Sequence, residues 1–145
     1  MTSTPNYDPD AMSRYADAAF SRMEHSGFAE LSATDQTFIC VWALDGEVNN
    51  GGFDQWFFNS SGDYATSTPD ALRRIGADRL AEIVDRAISA FDEGGPMPDI
   101  DDRRQQMLNL GDHLTRQLSD RDQEFYSEPD GLDVLLYNYI HKNGG

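Results

Sequence analysis

The chain has 145 residues, of which 26 are acidic and 11 basic, giving a formal net charge of −15 and a length that suits a single domain, residues 1–145. A field of this sign repels nucleic acid and anionic membranes, so we expect a basic protein as partner and no direct binding to nucleic acid or membrane. Residues 1–7 are expected to be disordered and lack the regions of a signal peptide, and no apolar run approaches a membrane span, so a cytoplasmic location is expected.

The first helix is predicted to begin at Asp8-Pro9-Asp10, where an acid caps the helix and proline takes its first position. Ser26-Gly27 is expected to end this helix. On the face opposite its apolar stripe, acids recur every seven residues. They form one candidate surface for a basic partner: Asp10, Asp17 and Glu24.

The second helix is expected to be the centre of the fold. Ser32 and Asp35 resemble a capping box that starts it, with Asp in place of the usual Glu. The run from Phe38 to Leu44 is apolar on every side, and a helix without a polar face belongs inside a core. Cys40 lies within this run, so we expect a buried and unreactive thiol.

A glycine corner is predicted to end this buried helix. Asn49-Asn50-Gly51-Gly52 tolerates the left-handed conformation, so Gly51 or Gly52 should have a positive φ. Beyond the corner, aromatic residues recur at i, i+3 and i+4, which predicts a second helix folded back on the first. One core is expected to hold the aromatic side chains of both helices: Phe38, Trp42, Phe53, Trp56 and Phe57.

The corner also carries a spaced pattern of an acid, amides, glycines and aromatic residues: Glu47, Asn50, Gly51, Gly52, Phe53, Gln55, Phe57, Asn59 and Gly62. This pattern resembles the signature of the DNA-mimic protein family. Segments 71–77, 122–126 and 135–140 are similar to later parts of that family, so the resemblance covers about residues 30–142. It implies an acidic protein that occupies the DNA-binding surface of a basic protein such as a transcription factor.

Glu47, beside this corner, has two interpretations. A carboxylate enclosed by tryptophan and phenylalanine rings is typical of a catalytic acid. Alternatively, Glu47 and Asn50 satisfy open backbone groups where two helices meet, and Gln55 and Asn59 do the same from the second helix. We favour the structural interpretation, because the resemblance supplies no catalytic residue to carry over.

Two helices are predicted between residues 68 and 91. Thr68-Pro69-Asp70 should cap a short helix that runs to Ile75, with an interruption at Gly76-Ala77. Residues 78–91 have a clear amphipathic pattern, with an apolar stripe and an acidic stripe that continues into a loop stiffened by prolines. The stripe and the loop form a second candidate acidic surface: Asp78, Glu82, Asp85, Asp92, Glu93, Asp99, Asp101 and Asp102.

This second surface favours mimicry without catalysis. DNA presents phosphates about every 3.4 Å of axis on each strand, and helical residues three or four apart rise about 4.5 to 6 Å. Carboxylates at such intervals can pair with arginine and lysine as phosphates do. The alternative is a solvated face that serves solubility or salt adaptation, and Arg79 and Arg86 border the stripe and could neutralise it.

The last third of the chain is predicted to hold three helical segments. Residues 103–118 form an amphipathic helix, Ser119 and Asp122 cap a short segment that ends at Ser127, and Pro129-Asp130-Gly131 turns the chain. The final helix, residues 132–140, is expected to bury its apolar side chains: Leu132, Leu135, Leu136, Tyr139 and Ile140.

These elements predict an all-α protein, a single compact domain of six to eight helices around the buried central helix. The sequence has no phosphate loop, His-Glu-x-x-His pattern or nucleophile elbow, so no catalytic residue, cofactor or metal ligand is predicted. The leading hypothesis is a DNA mimic, monomeric or homodimeric, that inhibits a transcription factor. The alternatives are an immunity protein that blocks a nuclease toxin, an enzyme that uses Glu47, and an acidic domain without mimicry.

Overall fold

A computed structural model describes residues 7–91, 94–128 and 131–143. They form α1 Pro9–Ser26, α2 Ala33–Phe58, α3 Thr68–Arg74, α4 Asp78–Ser89, α5 Ile100–Ser127 and α6 Leu132–Asn143, with 3₁₀ segments Phe28–Glu30 and Ser60–Ser67. These ranges contain no strand, which confirms the predicted all-α class, and none of their helices has the length and apolarity needed to cross a membrane. Our predictions for residues 1–6, Asp92, Glu93 and Pro129-Asp130 lie outside the described residues.

Helix α1 begins and ends as its sequence predicts. Oδ1 of Asp8 accepts hydrogen bonds from the backbone N–H groups of Asp10 (3.0 Å) and Ala11 (3.2 Å), and Pro9 takes the first position. Gly27 follows the last turn with a φ of 85°, a conformation that glycine adopts without strain. The inner side chains of α1 then pack against α2.

Helix α2 is the central element and packs against α1, α3, α5 and α6. Nine of its apolar side chains are buried: Phe38, Ile39, Cys40, Val41, Leu44, Val48, Phe53, Trp56 and Phe57. Trp42 is the exception to the predicted aromatic core, because its ring is only partly buried and packs against the edge of that core. The ring stacks on Phe38, with 5.2 Å between ring centroids.

The glycine corner interrupts α2, and one glycine there has the predicted positive φ. Gly51 and Gly52 both leave helical geometry, and Gly52 has a φ of 77°. The helix restarts at Phe53, whose N–H donates to Oδ1 of Asp122 on α5 over 2.7 Å. A Cβ atom at Gly52 would lie 2.5 Å from the other carboxylate oxygen of Asp122, so this position requires glycine for space as well as conformation.

Asp35 does not complete the capping box that its spacing predicts. Ser32 Oγ accepts from the Asp35 N–H (3.1 Å), but the Asp35 carboxylate turns to α1 instead. There it accepts two hydrogen bonds from Arg22 (2.7 and 2.9 Å) and one from the Tyr15 hydroxyl (2.6 Å). The hydrogen bonds from Arg22, helped by that from Tyr15 and opposed by burial, hold the pKa of Asp35 below its ordinary value. The carboxylate therefore fastens α1 to α2.

Helices α3 and α4 differ from prediction at their ends. Thr68 does not cap α3 as predicted. Its hydroxyl donates to the carbonyl of Tyr64 in the 3₁₀ segment (3.2 Å), and the residue before the helix, Ser67, makes no capping hydrogen bond with its side chain. Gly76, with a φ of 89°, separates the two helices as predicted. Helix α4 ends at Ser89 rather than residue 91, and it buries its apolar stripe: Leu80, Ala81, Ile83, Val84 and Ala87.

Helix α5 is longer than predicted, and its break lies elsewhere. It begins after Asp99, whose Oδ2 caps the N–H of Asp102 (3.0 Å), and it continues through Ser119 to Ser127. The predicted new start at Ser119 is wrong, because the non-helical residue inside α5 is Gly111, with a φ of 56°. In α6, Leu132, Leu136, Tyr137 and Ile140 are buried, whereas Leu135 and Tyr139 are only partly buried.

Candidate functional site

The acid and amides of the corner form one hydrogen-bonded group. Glu47 is half-buried, and its Oε2 accepts from Nε2 of Gln55 (3.0 Å) and from Nδ2 of Asn59 (2.9 Å). Asn50 in turn donates to Oε1 of Gln55 over 3.1 Å. These bonds join the two halves of α2 across the glycines. The contacts agree with the structural interpretation of Glu47, although its partners are side chains rather than backbone groups.

Arg103 is the residue of this region that the sequence interpretation missed. Its side chain is fully buried, and it donates to backbone oxygens at the end of α2 and in the loop before α5. It also pairs with Asp63 over 2.9 Å. The signal was present in the spacing, since Arg103 precedes Met107 by one helical turn on the inward stripe of α5.

Gly62, the last position of the spaced pattern, makes room for that arginine. A Cβ atom at Gly62 would lie 2.6 Å from Nε of Arg103 and 2.6 Å from the carbonyl oxygen of Phe57. The residues at both ends of the pattern from Glu47 to Gly62 therefore stabilise the fold. Their contacts hold the glycine corner and the end of α2, so we look for a partner-binding surface elsewhere.

The acidic stripe of α4 is largely paired with arginines. Asp85 contacts Arg73 of α3 at 2.5 Å, and Glu82 lies 3.6 Å from Arg79 on its own helix. Asp78 is exposed and has no base within ion-pair distance among the described residues. The other arginine beside the stripe, Arg86, forms an ion pair with a side chain of α5. The α4 face is therefore a network of opposite charges rather than a row of free carboxylates.

The acids that begin α5 are exposed but have a local role. Asp99 caps the helix, and Asp101 and Asp102 lie in its first turn, where the helix dipole stabilises negative charge. Gln106 fixes the preceding loop by donating to the carbonyl of Gly95 and accepting from the N–H of Met97, both over 2.9 Å. The continuity of this turn with the α4 stripe through Asp92 and Glu93 remains a prediction.

The acids of α1 are exposed and, among the described residues, unpaired. Asp10, Asp17 and Glu24 have no base within ion-pair distance in the described part of the chain. Arg14 lies one turn from Asp10 and from Asp17, so one positive charge borders the row. Of the three acidic groups, this one combines free carboxylates with a helix that is fastened to the core through Arg22.

Two further carboxyl groups have perturbed pKa values: Asp45, which was not singled out from the sequence, and Asp122, which was predicted only as a capping partner of Ser119 and instead accepts from the Phe53 N–H. Burial and the charge of Asp133 raise the pKa of Asp45, and a hydrogen bond from Asn49 opposes them. Burial also raises the pKa of Asp122, against the hydrogen bond from Phe53. Sequence spacing carries no signal for either shift, because both depend on elements that meet only in the folded chain.

The structure offers little for metal or thiol chemistry in its described ranges. No three His, Cys, Asp or Glu side chains within residues 7–91, 94–128 and 131–143 come close enough to hold a metal ion. Burial raises the pKa of the Cys40 thiol to about 12, so the reactive thiolate is scarce at neutral pH. Glu47 borders an open cavity of about 270 Å³.

A family model described as DMP19-like protein matches residues 29–143, most of the chain and close to the extent of the resemblance found in the sequence. No curated protein and no solved structure matches significantly.

Proposed function

Because the chain belongs to the DMP19-like family, a family of DNA mimics, we propose that it is an acidic interaction domain that occupies the DNA-binding surface of a basic protein. The partner is a transcription factor or another protein with a basic DNA-binding groove. The proposal assigns no catalytic residue, cofactor or metal. It predicts a cytoplasmic protein that regulates transcription by occupying the DNA-binding groove of its partner and so inhibiting it.

The observation that carries this proposal is the row of unpaired acids on α1. Asp10, Asp17 and Glu24 are seven residues apart, so their Cα atoms are spaced by about 10.5 Å along the helix axis. That is close to three steps of about 3.4 Å along one DNA strand. The agreement is in rise along the axis alone, because the phosphates of a strand also wind around the duplex; carboxylates in such a row can pair with arginine as phosphates do.

The attachment of α1 supports a mimic because it holds the row of acids in place. Asp35 accepts three hydrogen bonds from α1 and is itself buried on α2. Carboxylates on a fixed helix lose little conformational entropy when they bind. The α4 stripe should attract a basic groove less strongly than the α1 row, since Arg73 and Arg79 already contact two of its acids.

The test begins with affinity capture from the native host, which identifies the bound protein. That partner is mixed with its DNA, and this protein is titrated in. We expect release of the DNA and weaker binding as salt rises, because exposed charges are screened over about 8 Å at physiological ionic strength. DNA that stays bound at saturation would contradict the proposal.

Two matched triple variants locate the surface, since each removes three negative charges. Asp10→Asn with Asp17→Asn and Glu24→Gln should slow association by about tenfold to a hundredfold at low salt. Asp78→Asn with Glu82→Gln and Asp85→Asn should change it by less than about threefold, since two of those acids are paired. Equal effects would show that only net charge matters.

An immunity protein that blocks a nuclease toxin requires the same acidic surface. The captured partner decides between these two functions, because a nuclease would have lost its activity in the complex. An enzyme that uses Glu47 is a separate alternative, favoured by the cavity beside that residue. The two amide donors on Oε2 favour a structural role over a catalytic one.

A further inference from the structure

An open cavity of about 270 Å³ lies where α1, α2 and the 3₁₀ segment Ser60–Ser67 meet. Three aromatic rings and one carboxylate line it: Phe20, Trp42, Tyr64 and Glu47. All four side chains are half-buried, so the fold positions them and solvent still reaches them. Among the described residues, none that lines the cavity is basic.

Two of these rings are held in place by other rings. Trp42 stacks on Phe38 with 20° between the ring planes, and Tyr64 stacks on Phe28 with 5.0 Å between centroids and 12° between planes. Because the rings are already ordered, little conformational entropy is lost when a ligand packs against them.

The Glu47 carboxylate is oriented but not saturated. Both amide donors, from Gln55 and Asn59, go to Oε2. Among the described residues no hydrogen bond reaches Oε1, which leaves this oxygen for a ligand. The cavity also has open space at Gly46, where a Cβ atom would meet no atom within 4 Å.

The surroundings of the cavity favour a cation. The faces of aromatic rings attract positive charge, tryptophan most strongly, and a carboxylate adds to that attraction. Asp17 and Glu24 lie one turn before and one turn after Phe20 along α1, so two acids of that row are neighbours of the one α1 residue that lines the cavity in the described part of the chain. No lysine or arginine occurs in the sequence between Arg22 and Arg73.

We propose that this cavity binds the guanidinium group of an arginine side chain of the partner, an inference that rests on the proposed function. A planar guanidinium stacks on aromatic rings and offers paired donors to a carboxylate, which an ammonium group does less well. The volume lies just below the range of about 300–1,000 Å³ typical of small-molecule sites, so it suits one side chain. The α1 acids then attract the basic surface, and the cavity fixes its register.

The first experiment uses blocked Gly-Arg-Gly peptide as the probe, with the same peptide carrying neutral citrulline as control and methylguanidine as a free cation. Trp42 reports binding through its fluorescence and its indole N–H resonance, since the other tryptophan, Trp56, is fully buried. Trp42→Phe supplies the background signal. We expect a saturable change with the arginine peptide at millimolar concentration and none with citrulline.

Two variants of the cavity sharpen the test. Gly46→Met places a side chain in open space and should abolish the Trp42 response without changing the circular dichroism spectrum. Glu47→Gln keeps the shape and should weaken peptide binding by about tenfold, since it removes the charge. If Gly46→Met perturbs the fold, Glu47→Gln alone decides the question.

The outcomes separate this inference from the proposed function. Equal responses to arginine and citrulline, or a response that survives both variants, would overturn the cation site. Binding of methylguanidine but not of the arginine peptide would overturn a protein side chain as its ligand. If the arginine peptide binds as expected but the captured partner keeps its DNA, the site is upheld and the proposed function fails.

Discussion

Helices α1 and α4 carry similar rows of acids on similar amphipathic frames, but their electrostatic surroundings differ. Near α4, Arg73 reaches across from α3 to Asp85, and Arg79 contacts Glu82. Near α1, Arg22 is drawn to the buried carboxylate of Asp35 and is not paired with the acidic row. The difference teaches that a row of acids acts as a negative surface only where neighbouring elements do not supply the bases that pair with it.

The ion pair between Arg22 and Asp35 is more buried than the pair between Arg73 and Asp85, and removing its acid should have the largest effect on stability. Asp35→Ala removes the buried acceptor of Arg22 and Tyr15, so we expect a loss of about 2 kcal/mol in the free energy of unfolding. Asp85→Ala, which breaks a pair between half-exposed side chains, should cost less than about 1 kcal/mol. Urea denaturation of both variants measures the difference, and equal losses would remove the distinction between the helices.

Acid titration tests the same contact with a smaller effect. The native pKa of Asp35 lies below its ordinary value of 3.8, so this group stabilises the fold above that pH and loses its contribution as the pH falls through the native pKa. The raised pKa values of Asp45 and Asp122 act in the opposite direction, with stability present at low pH and lost as the pH rises. Thermal melts between about pH 2 and pH 6 should show a flatter acid limb for Asp35→Asn, since that variant has no carboxylate to protonate at this contact. A parallel limb would place the acid sensitivity elsewhere.

The smallest expected change in stability makes α4 more like α1. Arg73→Gln removes the base that contacts Asp85 and Asp70, and it should hardly change the free energy of unfolding, because the arginine is exposed. It should raise the rate of association with the basic partner by about twofold to threefold at low salt. Arg116→Gln is the matched control, an exposed arginine with no ion pair in the described ranges. Stopped-flow kinetics compares them, and equal rates would show that pairing is irrelevant.

The features that could be predicted from the sequence are those decided by a few adjacent residues. The cap at Asp8, the stop at Gly27 and the positive φ at Gly52 each follow from local conformational preference. The buried run in α2 follows in the same way from its continuous apolar composition. These are also the features that establish the all-α class.

The rest depends on contacts between distant parts of the chain. Asp35 has the spacing of a capping residue, but Arg22 offers a stronger partner thirteen residues earlier. Gly111 and Ser119 both look like possible breaks in α5, and local preference alone does not choose between them. Arginine is rarely buried, which hid the role of Arg103 despite its position on the inward stripe. The pairing of the α4 acids likewise required the neighbouring helix.

The packing of Arg103 on Gly62 has an evolutionary consequence. A methyl group at residue 62 would clash with the guanidinium, while loss of the guanidinium would remove the donor to the carbonyl of Phe57 and leave the carbonyl of Asn59 with only the N–H of Gly62 among the described residues. Neither position can change freely while the other is kept. We therefore expect the two to vary together among relatives, and a chain that tolerates Gly62→Ala to have first rebuilt the end of α2.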